Sequence, residues 1–217
     1  MTSASAPSPP IESRILDAAL AEFSAFGLRR TSMEDVARRA GVARGTVYRK
    51  FAAKDVLVQA VILREGRRFM AEFAMVVEPY PALADKLVEG WVFSLAHMRG
   101  HALFSGLLFA DPEAMLPYLT VNNSTLLAVC RTFVAQFLRD AQRRGELEPM
   151  DPDPPAELMA RIVTSYIVSP DGCLDLADQQ QLRAFARRHL VPIITGLRSR
   201  GCQEHGISRP EGAAGTT

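Results

Sequence analysis

Between Arg44 and Lys54 the chain places donors where a polyanion would want them. Arg44, Gly45, Thr46, Tyr48, Arg49, Lys50 and Lys54 combine guanidinium, hydroxyl and ammonium groups with one glycine inside eleven residues. A guanidinium near the start of a short helix can make two parallel hydrogen bonds to a guanine edge in the DNA major groove. Threonine and tyrosine hydroxyls suit phosphate oxygens, which set register without reading sequence. Gly45 lets the backbone come close, and Lys54 adds charge where the next helix begins and its free N–H groups already favour an anion. Taken singly, Tyr48 would more often be a half-buried packing residue and Arg49 or Lys50 a solvated charge.

Other groups that could do chemistry are few. His97 and His101 stand i and i+4, a spacing able to bring two imidazoles to one metal, but no Glu follows His97 as His-Glu-x-x-His requires. They read as two hydrogen-bonded or exposed histidines, and no metal or cofactor is expected. Cys130, Cys173 and Cys202 are odd in number, far apart and without a Cys-x-x-Cys pair, so neither a disulfide framework nor a zinc cluster is indicated. Nucleophile elbow, phosphate-cradling glycine loop and dinucleotide fingerprint are all missing from the sequence, which argues against an enzyme.

The elements that must position the donors follow from periodicity. From about Ser13 to Ala25, Ile15, Ala19, Phe23 and Phe26 recur as one apolar stripe, and Gly27 supplies a stop. Thr31 and Ser32 before Glu34 and Asp35 form a capping-box pattern that starts a second helix near Met33. Gly41 gives a tight turn, Val42 plugs the angle, and a third helix, about Arg44 to Phe51, turns Val47 and Phe51 inward. A long fourth helix, Asp55 to about Val77, stops at Glu78-Pro79-Tyr80-Pro81. Further helices are expected over 83–98, 102–109, 113–119, 123–144, 155–168 and 178–197, with Pro192 either kinking the last or loosening one of its turns.

Helical periodicity dominates throughout, so the fold class is all-α, with about nine helices in the larger domain. Residues 1–10 read as a Pro-rich disordered tail, 11–54 as a DNA-binding domain, 55–198 as a larger helical domain and 199–217 as a flexible tail. The net charge is only +1, yet residues 11–54 hold nine Lys or Arg against five Asp or Glu, and the rest sixteen against nineteen. A basic end on a near-neutral body suits a polyanion at one end, although a solvated face explains so small an excess as well. With no apolar run of about 18 residues and no signal-peptide layout, a cytoplasmic protein without membrane contact is expected.

Residues 13–57 resemble the DNA-binding domain of TetR-family transcriptional regulators. Thr31, Ser32, Val36, Ala37, Ala40, Gly41, Val42, Ala43, Gly45, Thr46, Val47, Tyr48, Phe51, Lys54 and Leu57 stand at the places of that family's helix-turn-helix pattern. The resemblance implies phosphate contacts from Thr31, Thr46, Tyr48 and Lys54, with Arg44 and Gly45 leading the helix into the groove. Where Lys50 stands, family members commonly carry an aromatic residue or His.

The same resemblance implies that the larger domain encloses a small-molecule cavity. Met70, Phe73, Trp91, Met98, Phe104, Leu108, Phe133 and Phe137 are then its candidate walls, although any one of them taken singly reads more readily as core, and they suit an apolar or amphipathic effector. It further implies a homodimer through the last two long helices, with Ile162, Tyr166, Leu182, Phe185, Ile193, Ile194 and Leu197 as candidate interface. The expected function is a homodimeric repressor that binds a palindromic double-stranded DNA operator and is released by a ligand. The alternative is a ligand-independent DNA-binding or partner-binding helical protein with a solid large domain.

Overall fold

A computed structural model describes residues 9–101, 113 and 125–196 of the 217-residue chain. All regular elements among these residues are helical. The expected helices over 102–109 and 113–119, the two tails, and the candidate residues Phe104, Leu108 and Leu197 lie outside what is described.

Helix α1 (Ile11–Phe26) buries Ile15, Leu16, Ala19 and Phe23. Phe26 departs from the expected stripe and is 55% exposed. It is the last helical residue, and Leu28, just past the positive-φ Gly27, fills the buried place instead. Helix α2 (Met33–Ala40) starts in a complete capping box. The Asp35 N–H donates to Ser32 Oγ at 3.1 Å, and the Ser32 N–H donates back to the Asp35 carboxylate at 3.0 Å. The box holds Asp35 below the usual carboxylate range, first through the Ser32 hydroxyl.

Gly41 closes α2 at φ 63° and ψ 40°, a left-handed conformation that costs an L side chain about 1–2 kcal/mol. Arg14 donates to the Ala40 carbonyl at 2.6 Å and so satisfies an end group that α2 itself leaves open. Helix α3 (Arg44–Lys50) turns Val47 inward, fully buried, and Phe51 follows it into the same core. Val42 packs partly buried against that core, in the angle between α2 and α3.

Helix α4 (Lys54–Val77) is 24 residues long, about 36 Å at 1.5 Å per residue. Its first half supplies Leu57, Val58, Val61 and Ile62 to the core formed by α1–α3. Arg64 ties it to α1 by donating to Asp17 at 2.8 Å. The second core is built by α5 (Leu83–Gly100), α6 (Thr125–Arg143), α7 (Asp153–Val168) and α8 (179–195), with Val88, Trp91, Leu95, Leu138, Ala156 and Leu182 among its buried members.

Helix α8 has three parts, Gln179–Phe185, a π-helical turn Ala186–Leu190, and Val191–Thr195. Asp178 caps its start by accepting from Gln180 and Gln181. The Val191 N–H reaches back five residues to the Ala186 carbonyl, immediately before Pro192. Proline supplies no N–H and its ring crowds the preceding turn, so the widened turn absorbs it, as the position of Pro192 suggests.

Candidate nucleic-acid interface and effector cavity

The outer side of α3 is exposed at Arg44, Gly45, Arg49 and Lys50, while Tyr48 is 37% exposed and Thr46 and Lys54 are half-buried. These residues form one continuous donor-bearing surface from the start of α3 to the start of α4. Several of them already face internal partners. Arg44 Nε lies 2.7 Å from Glu34 Oε1 on α2, and its guanidinium stands 5.2 Å from the Tyr48 ring centroid. Lys50 Nζ is 3.5 Å from Glu12 on α1, and Arg49 donates to the Thr46 hydroxyl at 3.5 Å. Glu34 and Glu12 are therefore part of the site's electrostatics, and the sequence reading missed both because their partners come from other helices.

Gly45 has open space on its side-chain side: no heavy atom lies within 4 Å of where a Cβ would stand. Nothing among the described residues demands glycine there. Thr31 differs from its expected role as a phosphate contact. It is 3% exposed, and its hydroxyl donates to the Gly27 carbonyl at 2.9 Å, with the Glu22 carbonyl 3.3 Å away. The hydroxyl is thus spent on the end of α1, and Thr31 positions the α1–α2 corner from within.

In the second core, α4, α5, α6 and α7 surround a cavity of about 110 Å³. Six of the expected wall residues, Met70, Phe73, Trp91, Met98, Phe133 and Phe137, line it. So do Phe69, Ser94, Cys130 and Thr164, which the sequence reading did not name. Phe69 carried a signal, since it stands four residues before Phe73 on the same helix face. Ser94 and Thr164 donate to the carbonyls of Gly90 (2.6 Å) and Ala160 (2.8 Å), so their hydroxyls offer lone pairs to the cavity. Burial pushes the Cys130 thiol up to about 11, leaving it neutral. The Trp91 indole N–H is buried with no acceptor among the described residues.

A second hollow of about 300 Å³ abuts the first and shares Phe73, Phe133 and Phe137 with it. Its remaining lining is polar: Lys86, Gln136, Asp140, Arg144 and Glu78 with Ala74 and Val77.

His97 and His101 each face a glutamate of α4. His97 Nδ1 is 3.2 Å from Glu72, His101 Nε2 is 3.4 Å from Glu65, and the two rings are 5.4 Å apart. Burial holds His97 below its ordinary value, and nearby His101 acts in the same direction against the opposing pull of Glu72.

The expected dimer residues divide. Leu182 and Ile194 are 1% exposed and belong to the chain's own core, which removes them from any surface. Helix α5 covers that side of α8. Ile162, Tyr166, Phe185 and Ile193 are only partly buried, and Leu158 beside them is 43% exposed. Trp91, Tyr166 and Phe185 form one aromatic group, with Trp91 at 5.5 Å from Tyr166 and 6.1 Å from Phe185.

The family model for bacterial regulatory proteins of the tetR family matches residues 15–61. The HTH-type transcriptional regulator UidR of Escherichia coli (strain K12) is 32% identical over 149 residues, 64% of this chain and 70% of that protein. The A-factor receptor protein of Streptomyces griseus is 26% identical over 186 residues, 83% of this chain and 62% of its own length. Among solved structures, the TetR family repressor AlkX from Dietzia sp. superposes with a TM-score of 0.68 at 22% identity, covering 88% of this chain and 98% of its own. Salmonella enterica GusR gives 0.62 at 22% identity over 87% and 97%. No described helix is long and apolar enough to cross a membrane. With its capped α2, its left-handed Gly41 turn and its basic α3 matched by profile, by relatives and by fold, the chain belongs to the TetR family of DNA-binding transcriptional regulators.

Proposed function

We propose that the protein is a homodimeric repressor whose grip on a palindromic operator is released by a small apolar or amphipathic ligand in the larger domain. The observation that carries this reading is helix α4. Its N-terminus, at Lys54, adjoins the donor surface of α3, its first half packs in the DNA-binding core, and its second half walls the cavity through Gly66, Phe69, Met70 and Phe73. Met98 and Ile167 make the same bridge, lining the cavity while packing against the DNA-binding core. A ligand that prefers one placement of α4 shifts the separation of two recognition helices, which must meet major grooves about 34–36 Å apart. The two adjoining hollows favour ligand sensing over a solid large domain. The apolar strip of Leu158, Ile162, Tyr166, Phe185 and Ile193 supports pairing of α7 and α8 across a two-fold axis. AlkX is described as a repressor, which supports repression here.

The test is selection of a binding site from random duplex DNA, followed by equilibrium binding and mass measurement of the complex. A palindromic site holding two chains is expected, with affinity falling about a thousandfold or more between 50 and 200 mM salt if six or more phosphates are contacted. A flat salt profile, or one chain on an asymmetric site, would sink the proposal.

A further inference from the structure

Five aromatic rings surround a space the size of one more. The inner cavity, about 110 Å³, is of the order of an apolar cavity of about 150 Å³ that takes a single benzene molecule. Phe69, Phe73, Trp91, Phe133 and Phe137 wall it. Phe73 stands edge-on to Phe133 and Phe137, with centroids 5.0 and 5.9 Å apart, so the walls meet nearly at right angles. An entering ring finds there the edge-to-face neighbours that aromatic groups prefer. Met70, Met98 and Met159 add polarisable thioethers, which also favour contact with a ring.

Sulfur apart, three polar side chains interrupt this described lining. Ser94 and Thr164 have given their protons to the Gly90 and Ala160 carbonyls, at 2.6 and 2.8 Å, so toward a ligand they only accept. The Trp91 N–H only donates, and it is buried with no acceptor among the described residues. Trp91 and Ser94 stand three residues apart on α5, which sets a donor and an acceptor on one helix face. The N–H loses its hydration when the chain folds, so a ligand oxygen that reaches it gains a hydrogen bond without that cost. Water alone answers the polar groups and leaves the rings uncovered, whereas a ring carrying one hydroxyl serves both.

No ionised group belongs to the described lining, since burial keeps Cys130 a neutral thiol. A carboxylate or ammonium brought there would lose its hydration with nothing to replace it. The neighbouring hollow supplies no spare charge: Glu146 holds both Lys86 and Arg144, and Glu78 and Asp140 line the hollow beside them.

We propose that the effector is a neutral monocyclic phenol, its ring among Phe69, Phe73, Phe133 and Phe137 and its hydroxyl accepting from Trp91 and donating to Ser94. A phenolic hydroxyl ionises near pH 10, so the ligand enters uncharged at neutral pH. Phe69, Met70 and Phe73 all stand on α4, so a ring seated among them bears directly on the helix that carries the DNA-binding core. This proposal rests on the effector reading above and narrows it to a ligand class.

Phenol, toluene and benzoate serve as probes, titrated calorimetrically into the full-length protein at pH 7. Phenol is expected to bind saturably, and benzoate about a hundredfold more weakly because it carries its charge into the cavity. Trp91→Phe, which keeps a ring and removes the N–H, should weaken phenol about tenfold relative to toluene, and Ser94→Ala should do the same. Val163→Phe, which fills the cavity, should weaken phenol and toluene alike. Thermal melting confirms that each variant folds. No saturable binding of phenol, or benzoate binding as tightly as phenol, overturns the proposal. A ratio of phenol to toluene affinity that neither Trp91→Phe nor Ser94→Ala changes overturns the place given to the hydroxyl. Phenol binding that depends on Trp91 and Ser94 but leaves operator affinity untouched upholds the site and overturns the release reading instead.

Discussion

Arg44 and Glu34 form an ion pair across the angle between α2 and α3, with Nε 2.7 Å from Oε1, and the same guanidinium lies 5.2 Å from the Tyr48 ring centroid. Arg44, expected from the sequence to read a base, is thus held in this structure by a carboxylate and an aromatic face. If Arg44 enters the groove as expected, docking on DNA exchanges Glu34 for a base edge or phosphate. Both side chains of the pair are largely exposed, so the pair is worth at most about 1 kcal/mol and the exchange is easy.

Glu34→Gln should therefore raise operator affinity by up to about fivefold, more at low salt than at high. Arg44→Ala should relax discrimination at one base pair by about 1–3 kcal/mol, whereas Tyr48→Ala should weaken all sequences together. Fluorescence anisotropy on a panel of point-mutated operators checks all three. Equal losses across the panel for Arg44→Ala and Tyr48→Ala would refute the division into a reading and a gripping residue, and weaker binding by Glu34→Gln would refute the exchange.

Thr31→Val should cost about 1 kcal/mol of stability, because the buried hydroxyl donates to the Gly27 carbonyl and that acceptor would lose its partner. The salt dependence of DNA binding should stay the same. Loss of a true phosphate contact would instead lower the slope of log K against log salt by about 0.9. Denaturant melts and a salt series on one operator separate the two roles.

The helix-turn-helix was legible because its signals are local. Ser32 with Asp35, Gly41, and Val47 with Phe51 each act within four residues, so sequence spacing and geometry coincide. Thr31 was not, since the direction of its hydroxyl depends on where the end of α1 leaves the Gly27 and Glu22 carbonyls. Nor could periodicity separate Leu182 and Ile194 from Ile162 and Phe185: all lie on apolar stripes, and only the packing of α5 decides which stripe is covered. The supply of Met and Phe pointed to the cavity walls, but an unfilled space is a property of packing, and the polar hollow at Lys86 and Arg144 joins residues 58 apart in the chain. Pro192, by contrast, announced a disturbance of its own turn, a kink or a loosening, and the structure takes the second form.

Acid should loosen the α4–α5 contact. Burial places the His97 pKa below 6.5, so the folded protein binds fewer protons than the unfolded chain once pH falls under that value. Stability contributed by neutral His97 is complete above 6.5 and declines as pH drops from 6.5 through the lowered folded value. Thermal melts from pH 7.5 to 5 should show a steeper acid-side decline for the native chain than for His97→Gln. Identical profiles would remove His97 from the account.

Gly45 separates the needs of folding from those of DNA binding. It lies in the first turn of α3, where glycine is less favourable than alanine by up to about 1 kcal/mol, and a Cβ there would touch nothing among the described residues. Gly45→Ala should therefore raise the denaturation midpoint or leave it unchanged. If the open side of Gly45 is where the DNA backbone passes, the same methyl group should weaken operator binding, and Gly45→Val should weaken it further. Opposite signs in the melt and in the binding isotherm are the expected result, since no defect within the fold produces both. A variant that is as stable as the native chain or more so, and still binds the operator at native strength, would show that the groove does not approach the backbone at this position.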